Sequence, residues 1–459
     1  MPRLLLVNPS NPLVNMAKTS SSRWSRRYRV WKPLGLLVLA GLTPPEWETS
    51  VVDENLGAPD YRRLPRPDLV GITAFTSQAN RAYEVSAHFR GLGVPVVMGG
   101  IHATMCLEEA EERADSVVTG EAEGVWGQVL EDVKQHSLKR CYEGGLADMT
   151  QVPLARHDLL PTGYAFGSLQ TTRGCPLNCR FCSVTAFNGA RHRQRPIPDV
   201  LKELRSIPER RILLVDDNLI GTRPEEIAHA KDLFRALAKA NLGKQLAAQV
   251  SINFADDEEL LDLAAKAGCV GVFIGFESST PEGLAAMGKK FHLFKGRDYR
   301  DSVRRIQRHN MLVMGSFIIG LDGDEPGIGK DLARAASKYG LDALNVLCLT
   351  PLPGTRLWDE MKAENRIGLN RFPEDWKYYT LTYPVMKYKH LSREGIIDEM
   401  VSCRRDFYSV PNILARMVRA LRQGNNPLVG LAINYSRRRS SLLLARASAD
   451  SRQQEKAKF

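Results

Sequence analysis

The feature that most constrains this chain is a run of three cysteines, Cys175-Pro-Leu-Asn-Cys179-Arg-Phe-Cys182, spaced C-x3-C-x2-C. Three thiolates this close can hold three irons of a cubane iron–sulfur cluster and leave the fourth iron open. A structural zinc site needs a fourth protein ligand, and a ferredoxin-type cluster a fourth cysteine. Neither is close by: His192 lies ten residues beyond Cys182, among arginines. The incomplete set predicts an iron that binds a small molecule and passes it an electron. The other five cysteines, Cys106, Cys141, Cys269, Cys348 and Cys403, are irregularly placed. They read as ordinary thiols, which argues for a metal site and against a disulfide framework.

At 459 residues, 43% hydrophobic and 25% charged, the chain predicts two or three globular domains. Its longest apolar stretch, Leu34–Leu42, is too short to span a bilayer. Met1-Pro-Arg runs directly into a strand, Leu4–Val7, so a cytoplasmic location is expected. Residues 1–140 alternate strand and helix. Short apolar runs predict strands at Leu4–Asn8, Thr49–Glu54, Leu69–Phe75, Pro95–Gly99 and Ser116–Glu121. Helical patterns separate them at Leu34–Leu42, Ala79–Leu92, Leu107–Arg113 and Val125–His136. This is a five-stranded, doubly wound parallel (Rossmann-like) sheet, whose ligands bind outside the carboxyl ends of its strands. Those ends are Pro9, Ala74–Ser77, Gly99–Thr104 and Gly120–Gly124.

A linker over 141–164 carries Gly144-Gly145, Pro153 and Pro161. A second alternation fills 165–369, with strands expected at Ser168–Thr172, Ile212–Asp216, Ala247–Asn253, Gly271–Glu277, Leu312–Ile319 and Ala343–Leu349. Helices such as Pro224–Ala240 and Asp257–Ala267 lie between them, and Met361–Ile367 closes the region. Six βα units predict a partial (β/α)6 barrel, with its chemistry at the carboxyl ends of the strands. The cysteine run directly follows the first of these strands. From 370 to 459 the chain turns helical and basic, with helices expected at Ser392–Tyr408, Pro411–Gln423 and Pro427–Ser436. Of the net +11, Arg404–Phe459 carries twelve arginines and lysines against three acids, a net +9. A second basic cluster, Arg23, Arg26, Arg27, Arg29 and Lys32, alternates with Trp24, Tyr28 and Trp31. Such patches suit nucleic acid, anionic lipid or an acidic substrate, or are simply solvated.

Thr172-Arg-Gly-Cys-Pro-Leu-Asn-Cys-Arg-Phe-Cys182, with Phe181 before the last cysteine, resembles the signature of the radical S-adenosylmethionine (SAM) superfamily. The resemblance covers roughly residues 165–365. It implies a [4Fe-4S] cluster on Cys175, Cys179 and Cys182, whose open iron binds SAM and cleaves it to a 5′-deoxyadenosyl radical. It also implies SAM contacts from Phe181, from Asp216, Asp217 and Asn218 after the second strand, and from Glu277 and Ser278 after the fourth. Ile319 and Gly320 after the fifth strand would lie along the adenine. Thr350-Pro-Leu-Pro-Gly-Thr355 ends the sixth strand.

Gly99-Gly-Ile-His-Ala-Thr104 followed by Val118-Thr-Gly-Glu-Ala-Glu123 resembles the cobalamin-binding domain fused to one subgroup of that superfamily, and Lys32-Pro-Leu-Gly-Leu36 fits it too. The resemblance implies cobalamin contacts from Thr76, Ser77, Gly99, Gly100, His102, Thr104, Gly120, Glu121 and Glu123. The Asp-x-His-x-x-Gly run that supplies a lower cobalt ligand elsewhere is missing, and His102 reads better as a hydrogen-bonding loop residue than as a ligand. The region beyond Asn370 resembles the helical extension of this subgroup, which includes hopanoid methylases and the anaerobic chlorophyll cyclase. Its aromatics, Phe372–Trp376 and Tyr378–Tyr383, either line a substrate pocket or pack a core.

These parts predict a C-methyltransferase that abstracts hydrogen from an unactivated carbon and delivers a methyl from methylcobalamin. The substrate expected is a small, hydrophobic or lipid-like metabolite, and the electron donor a flavodoxin or ferredoxin. The basic carboxyl-terminal tail suits peripheral contact with an anionic membrane. A radical cyclase or rearrangement enzyme with the same cofactors is the alternative. A tRNA methylthiotransferase would carry three more cysteines in its first domain, where this chain has Cys106 and Cys141. Nucleic-acid binding is not expected, since no recognition helix or stacking motif stands out.

Overall fold

A computed structural model describes residues 1–13, 32–160, 164–289, 296–422, 430–431, 434–435 and 437–438. The basic–aromatic cluster before Lys32, most of the helix expected at Pro427–Ser436 and the tail beyond Arg438 lie outside these residues.

The first sheet holds β1 (Arg3–Asn8), β2 (Glu48–Asp53), β3 (Leu69–Thr73), β4 (Val96–Gly99), β5 (Ser116–Thr119) and β6 (Cys141–Glu143). Its order is β2-β1-β3-β4-β5-β6, and every pairing is parallel. Side chains alternate across a strand. Leu4 and Leu6 therefore enter the core under helix Leu34–Leu42 and Trp126, while Leu5 and Val7 enter the core under helix Ala79–Gly91. Both faces are covered, as a parallel sheet requires. The sheet has six strands where the sequence suggested five. Cys141–Glu143 pairs with Val117–Thr119 and extends the sheet into the stretch expected to be linker. Gly100–Met105, expected to be loop, is a short helix.

The second sheet runs β7 (Gly167–Leu169), β10 (Arg211–Leu214), β11 (Gln245–Val250), β12 (Cys269–Glu277), β13 (Leu312–Ile319) and β14 (Ala343–Cys348). These strands neighbour one another in chain order, all parallel, with β7 and β14 at the edges. One large apolar core joins them to the helices on their outer side. The expected strand Ser168–Thr172 is broken: after β7 the chain leaves the sheet as β8 (Thr172–Arg173), paired antiparallel with β9 (Arg193–Gln194). The closing helix is Arg356–Ala363, earlier than the expected Met361–Ile367. Helix Arg393–Phe407 docks on β14, where the Tyr408 hydroxyl bonds both the amide and the carbonyl of Leu344. Phe372 and Trp376 stack with centroids 3.7 Å apart and join the core of the first sheet with Tyr379, so the aromatic segment is packing.

Candidate active site where two sheet edges meet

The cysteine loop is held at both ends by the β8–β9 hairpin, which pairs Arg173 with Arg193. Gly174 takes φ +85, and a Cβ there would meet the Arg191 carbonyl oxygen at 2.1 Å. Only glycine fits that turn. Cys179 is buried; Cys175 and Cys182 are half-buried. Burial pushes the Cys179 thiol up to about 11 and Cys182 up to about 12, and also raises Cys175. The three groups lie close enough to feel one another's charge. Among the described residues no three His, Cys, Asp or Glu side chains converge as ligands of a single ion. A cubane spreads its thiolates over three irons, and three cysteines on one loop fit that demand.

Two aspartates expected to meet SAM bind the strand end and loop that carry the cysteines. Asp216 is buried, and its Oδ1 accepts from Thr171 N at 2.7 Å, from both threonine hydroxyls at 3.0 Å and from Thr172 N. Its Oδ2 is buried without a partner, and burial pushes its pKa up to about 6. Asp217 accepts from Gly174 N at 2.8 Å and Asn188 Nδ2 at 2.9 Å. Asn218 reaches the Cys175 thiol and bonds Ser251 Oγ at 3.3 Å. Phe181 packs against the cluster of Met287, Ile318, Leu321 and Leu349.

Glu277 ends β12 at a register shift and holds φ +64, a conformation costly for a side chain with a Cβ. Lys289 Nζ donates to its Oε1 at 2.7 Å and to Gly275 O at 2.8 Å. Burial works to lower the Lys289 pKa, but Glu277, Cys179 and Cys182 raise it further. Lys289 therefore stays a cation at the cysteines, and it is the site residue the sequence reading missed. Its signal was the Met287-Gly-Lys289 turn that brings the chain back twelve residues after Glu277. Ser278 is buried beside Thr280, which caps helix Pro281–Ala286 through Gly283 N. Ile319 O accepts from Leu349 N at 2.8 Å, and Gly320 N donates to Asp324 Oδ2 at 2.8 Å.

At the edge of the first sheet, Ser77, Gly99, Gly100, Thr104 and Gly120 are half-buried, and Thr76 is buried in a 3-10 turn. Thr104 Oγ1 donates to Gly100 O at 2.9 Å and accepts from Gly120 N at 3.0 Å, tying β4's loop to β5's. The glycines leave the backbone of this edge without side-chain cover, which suits close approach by a ligand. Three of the expected contact residues are engaged within the protein. His102 is 0% exposed beneath the edge. Tyr83 OH donates to Glu109 Oε1 at 2.6 Å, so His102 Nε2 is the donor in its 2.8 Å bond to that hydroxyl. Glu121 and Glu123 are taken by arginines: Arg173 lies 2.8 Å from Glu121 Oε2 and 2.6 Å from Glu123 Oε1, and Arg193 also holds Glu121. These ion pairs set the carboxyl edge of the first sheet beside the loop that carries the cysteines.

Two family models match the chain: the radical SAM superfamily over residues 169–354 and the B12 binding domain over 25–130. An uncharacterised methyltransferase of Synechocystis is 30% identical over 374 residues, covering 80% of this chain and 69% of that protein. The chain belongs to the radical SAM superfamily. Within it, the attached B12 binding domain places the chain in the cobalamin-dependent methyltransferase group, whose cofactors are a [4Fe-4S] cluster, SAM and cobalamin. The bacteriochlorophyllide d C-12(1)-methyltransferase of Chlorobaculum tepidum is 29% identical, covering 90% of this chain and 89% of that one. In fold, this radical SAM protein matches the methyltransferase TsrM of Kitasatospora setae, solved with cobalamin and a [4Fe-4S] cluster. The TM-score is 0.68 at 18% identity, over 98% of this chain and 100% of TsrM. Like other radical SAM enzymes it takes a small-molecule substrate and an electron from a redox partner. Among the described residues no helix is long and apolar enough to cross a membrane.

Proposed function

We propose that this protein transfers a methyl group to an unactivated carbon of a small hydrophobic metabolite held between the two sheet edges. The observation that carries the reading is the Glu121–Arg173 pair, two residues ahead of Cys175, which brings the cobalamin-type edge to the cysteine loop. When bound, the cluster with SAM supplies the radical that opens a C–H bond, and cobalamin supplies the methyl. Cys175, Cys179 and Cys182 would hold the cluster. Lys289, a buried cation at Cys179, would meet the carboxylate of SAM, with Glu277 beside it for a group bearing hydroxyls or an amine. Ser77, Gly99, Gly100, Thr104 and Gly120 would line the corrin. Asp216 and Asp217 hold the loop and touch no substrate.

A flavodoxin or ferredoxin is the electron donor this chemistry suits. A lipid-like substrate suits membrane contact through the basic tail, whose residues beyond Arg438 lie outside the described residues. Two of the similar methyltransferases are named for a bacteriochlorophyllide and one for a hopanoid, which supports a hydrophobic substrate. The test is anaerobic reconstitution with cobalamin and SAM, followed by mass spectrometry. 5′-Deoxyadenosine and S-adenosylhomocysteine together are expected, and both vanish in Cys179→Ala. Deoxyadenosine alone would point to cyclisation or rearrangement; neither product from a protein with full iron content would overturn the reading.

A further inference from the structure

Helix Val410–Arg422 turns Arg416 and Arg419 inward beside the buried Ile413 and a line of aliphatic side chains outward. Arg416 is buried, with Nη2 donating to Phe407 O at 2.9 Å and Asn434 Oδ1 at 2.8 Å, and its guanidinium 4.0 Å from the Phe407 ring centroid. Arg419 Nη2 donates to Leu341 O at 3.3 Å, beside Asp342. Val410, Leu414, Val418 and Leu421 turn outward, each 47–61% exposed. Steps of four, four and three residues set them in one line along about 17 Å of helix. A surface helix of a globular protein does the opposite. An apolar line of this kind left in water marks an interaction surface.

The line has a basic border. Helix Tyr299–Arg308 brings Arg300 and Arg304 close enough to Arg419 to lower its pKa, after the larger effect of burial. Arg305 and Arg308 on the same helix are exposed, and Asp301 is its one acid. At the other end Arg405 is exposed, next to Asp406.

We propose that this face rests on an anionic lipid surface, with the four aliphatic side chains at the acyl boundary and the arginines among the headgroups. Charge selects the occupant. A second copy of the chain would set arginine against arginine. An electron donor would be at the wrong end of the molecule: Arg419 and Asn434 bond Leu341 and Asp342, ahead of the first residue of β14, whereas the cysteines lie past the carboxyl ends of the strands. The six residues of β14 alone span about 20 Å. Lipid contact would hold the enzyme at the membrane that carries a hydrophobic substrate, without being the entrance to the site itself. It rests on the proposed reading only for that purpose, since binding is measured without substrate or turnover.

The test is co-sedimentation of the full chain with phosphatidylcholine vesicles containing about 30% phosphatidylglycerol, against pure phosphatidylcholine, at about 0.1 M salt. Binding to the anionic vesicles alone is expected, weakening at about 0.5 M salt. Leu414→Asp/Val418→Asp changes two exposed positions, so the melting temperature should not move, while partitioning falls about tenfold or more. A second variant replaces Arg439, Arg446, Arg452, Lys456 and Lys458 with glutamine. Binding lost in this tail variant but kept in Leu414→Asp/Val418→Asp would overturn the proposal, as would no binding at low salt. A dimer that the aspartate pair splits, with no vesicle binding, would assign the face to a second copy instead.

Discussion

Asp216 shows how a single residue can hold the chain that leads into the cysteine loop. One oxygen gathers four hydrogen bonds from Thr171 and Thr172; the other is buried with no partner. Burial dominates, so the folded pKa stands at about 6 against 3.8 for the free side chain. The sign follows from linkage. Between those values the folded protein keeps a proton that the unfolded chain gives up, so this residue's contribution falls as pH rises. Asp216→Asn keeps the Oδ1 acceptor and removes the titration. The stability of the variant minus that of the wild type should therefore rise by about 2 kcal/mol from about pH 4 to about pH 7. Urea unfolding at several pH values reads that difference directly. A difference independent of pH would show that Asp216 is already charged in the folded protein. Asp324, also pushed up to about 6, is common to both proteins and cancels.

At the scale of elements, the regular parts were legible and the irregular ones were not. Apolar runs located both sheets because strands covered on both faces leave no polar alternation to confuse them. Cys141-Tyr-Glu143 escaped because three residues before a glycine pair carry no pattern. The break after Leu169 escaped because Thr171 and Thr172 have the β-branched look of a strand, while Asp216 draws them out of the sheet. Glu121 and Glu123 sat at the right edge, but their arginine partners are 50 or more residues away and only the folded chain joins them. The hairpin that carries the cysteine loop turns on Gly174. Gly174→Ala would force a Cβ against the Arg191 carbonyl at φ +85. Reconstituted protein should then hold less than about half the iron and sulfide of wild type, with unchanged far-ultraviolet circular dichroism, because the strain of roughly 1–3 kcal/mol is local. Full iron content would mean that the loop does not depend on this turn.

In the whole molecule, the two sheets are joined at opposite ends by buried charge. Lys32 Nζ lies 2.8 Å from Glu209 where the first helix begins, and Glu121 meets Arg173 and Arg193 at the cysteine loop. Despite burial, the arginines hold the Glu121 carboxyl below its usual range, so it is ionised and neutralises two cations at once. Glu121→Gln keeps the shape and removes the charge. Arg173 then retains Glu123 at 2.6 Å, whereas Arg193 keeps the Ala147 and Asn188 carbonyls but loses its anion. Breaking a buried pair from one side costs roughly 3–5 kcal/mol, so the melting temperature should drop by several degrees. The cost falls between the sheets rather than within either one. Limited proteolysis should then cut first near 144–160, where the chain crosses from one sheet to the other, and cobalamin should be lost more readily on gel filtration. Uniform destabilisation with cobalamin retained would place Glu121 in the stability of the fold alone, and the meeting of the two edges would need another cause.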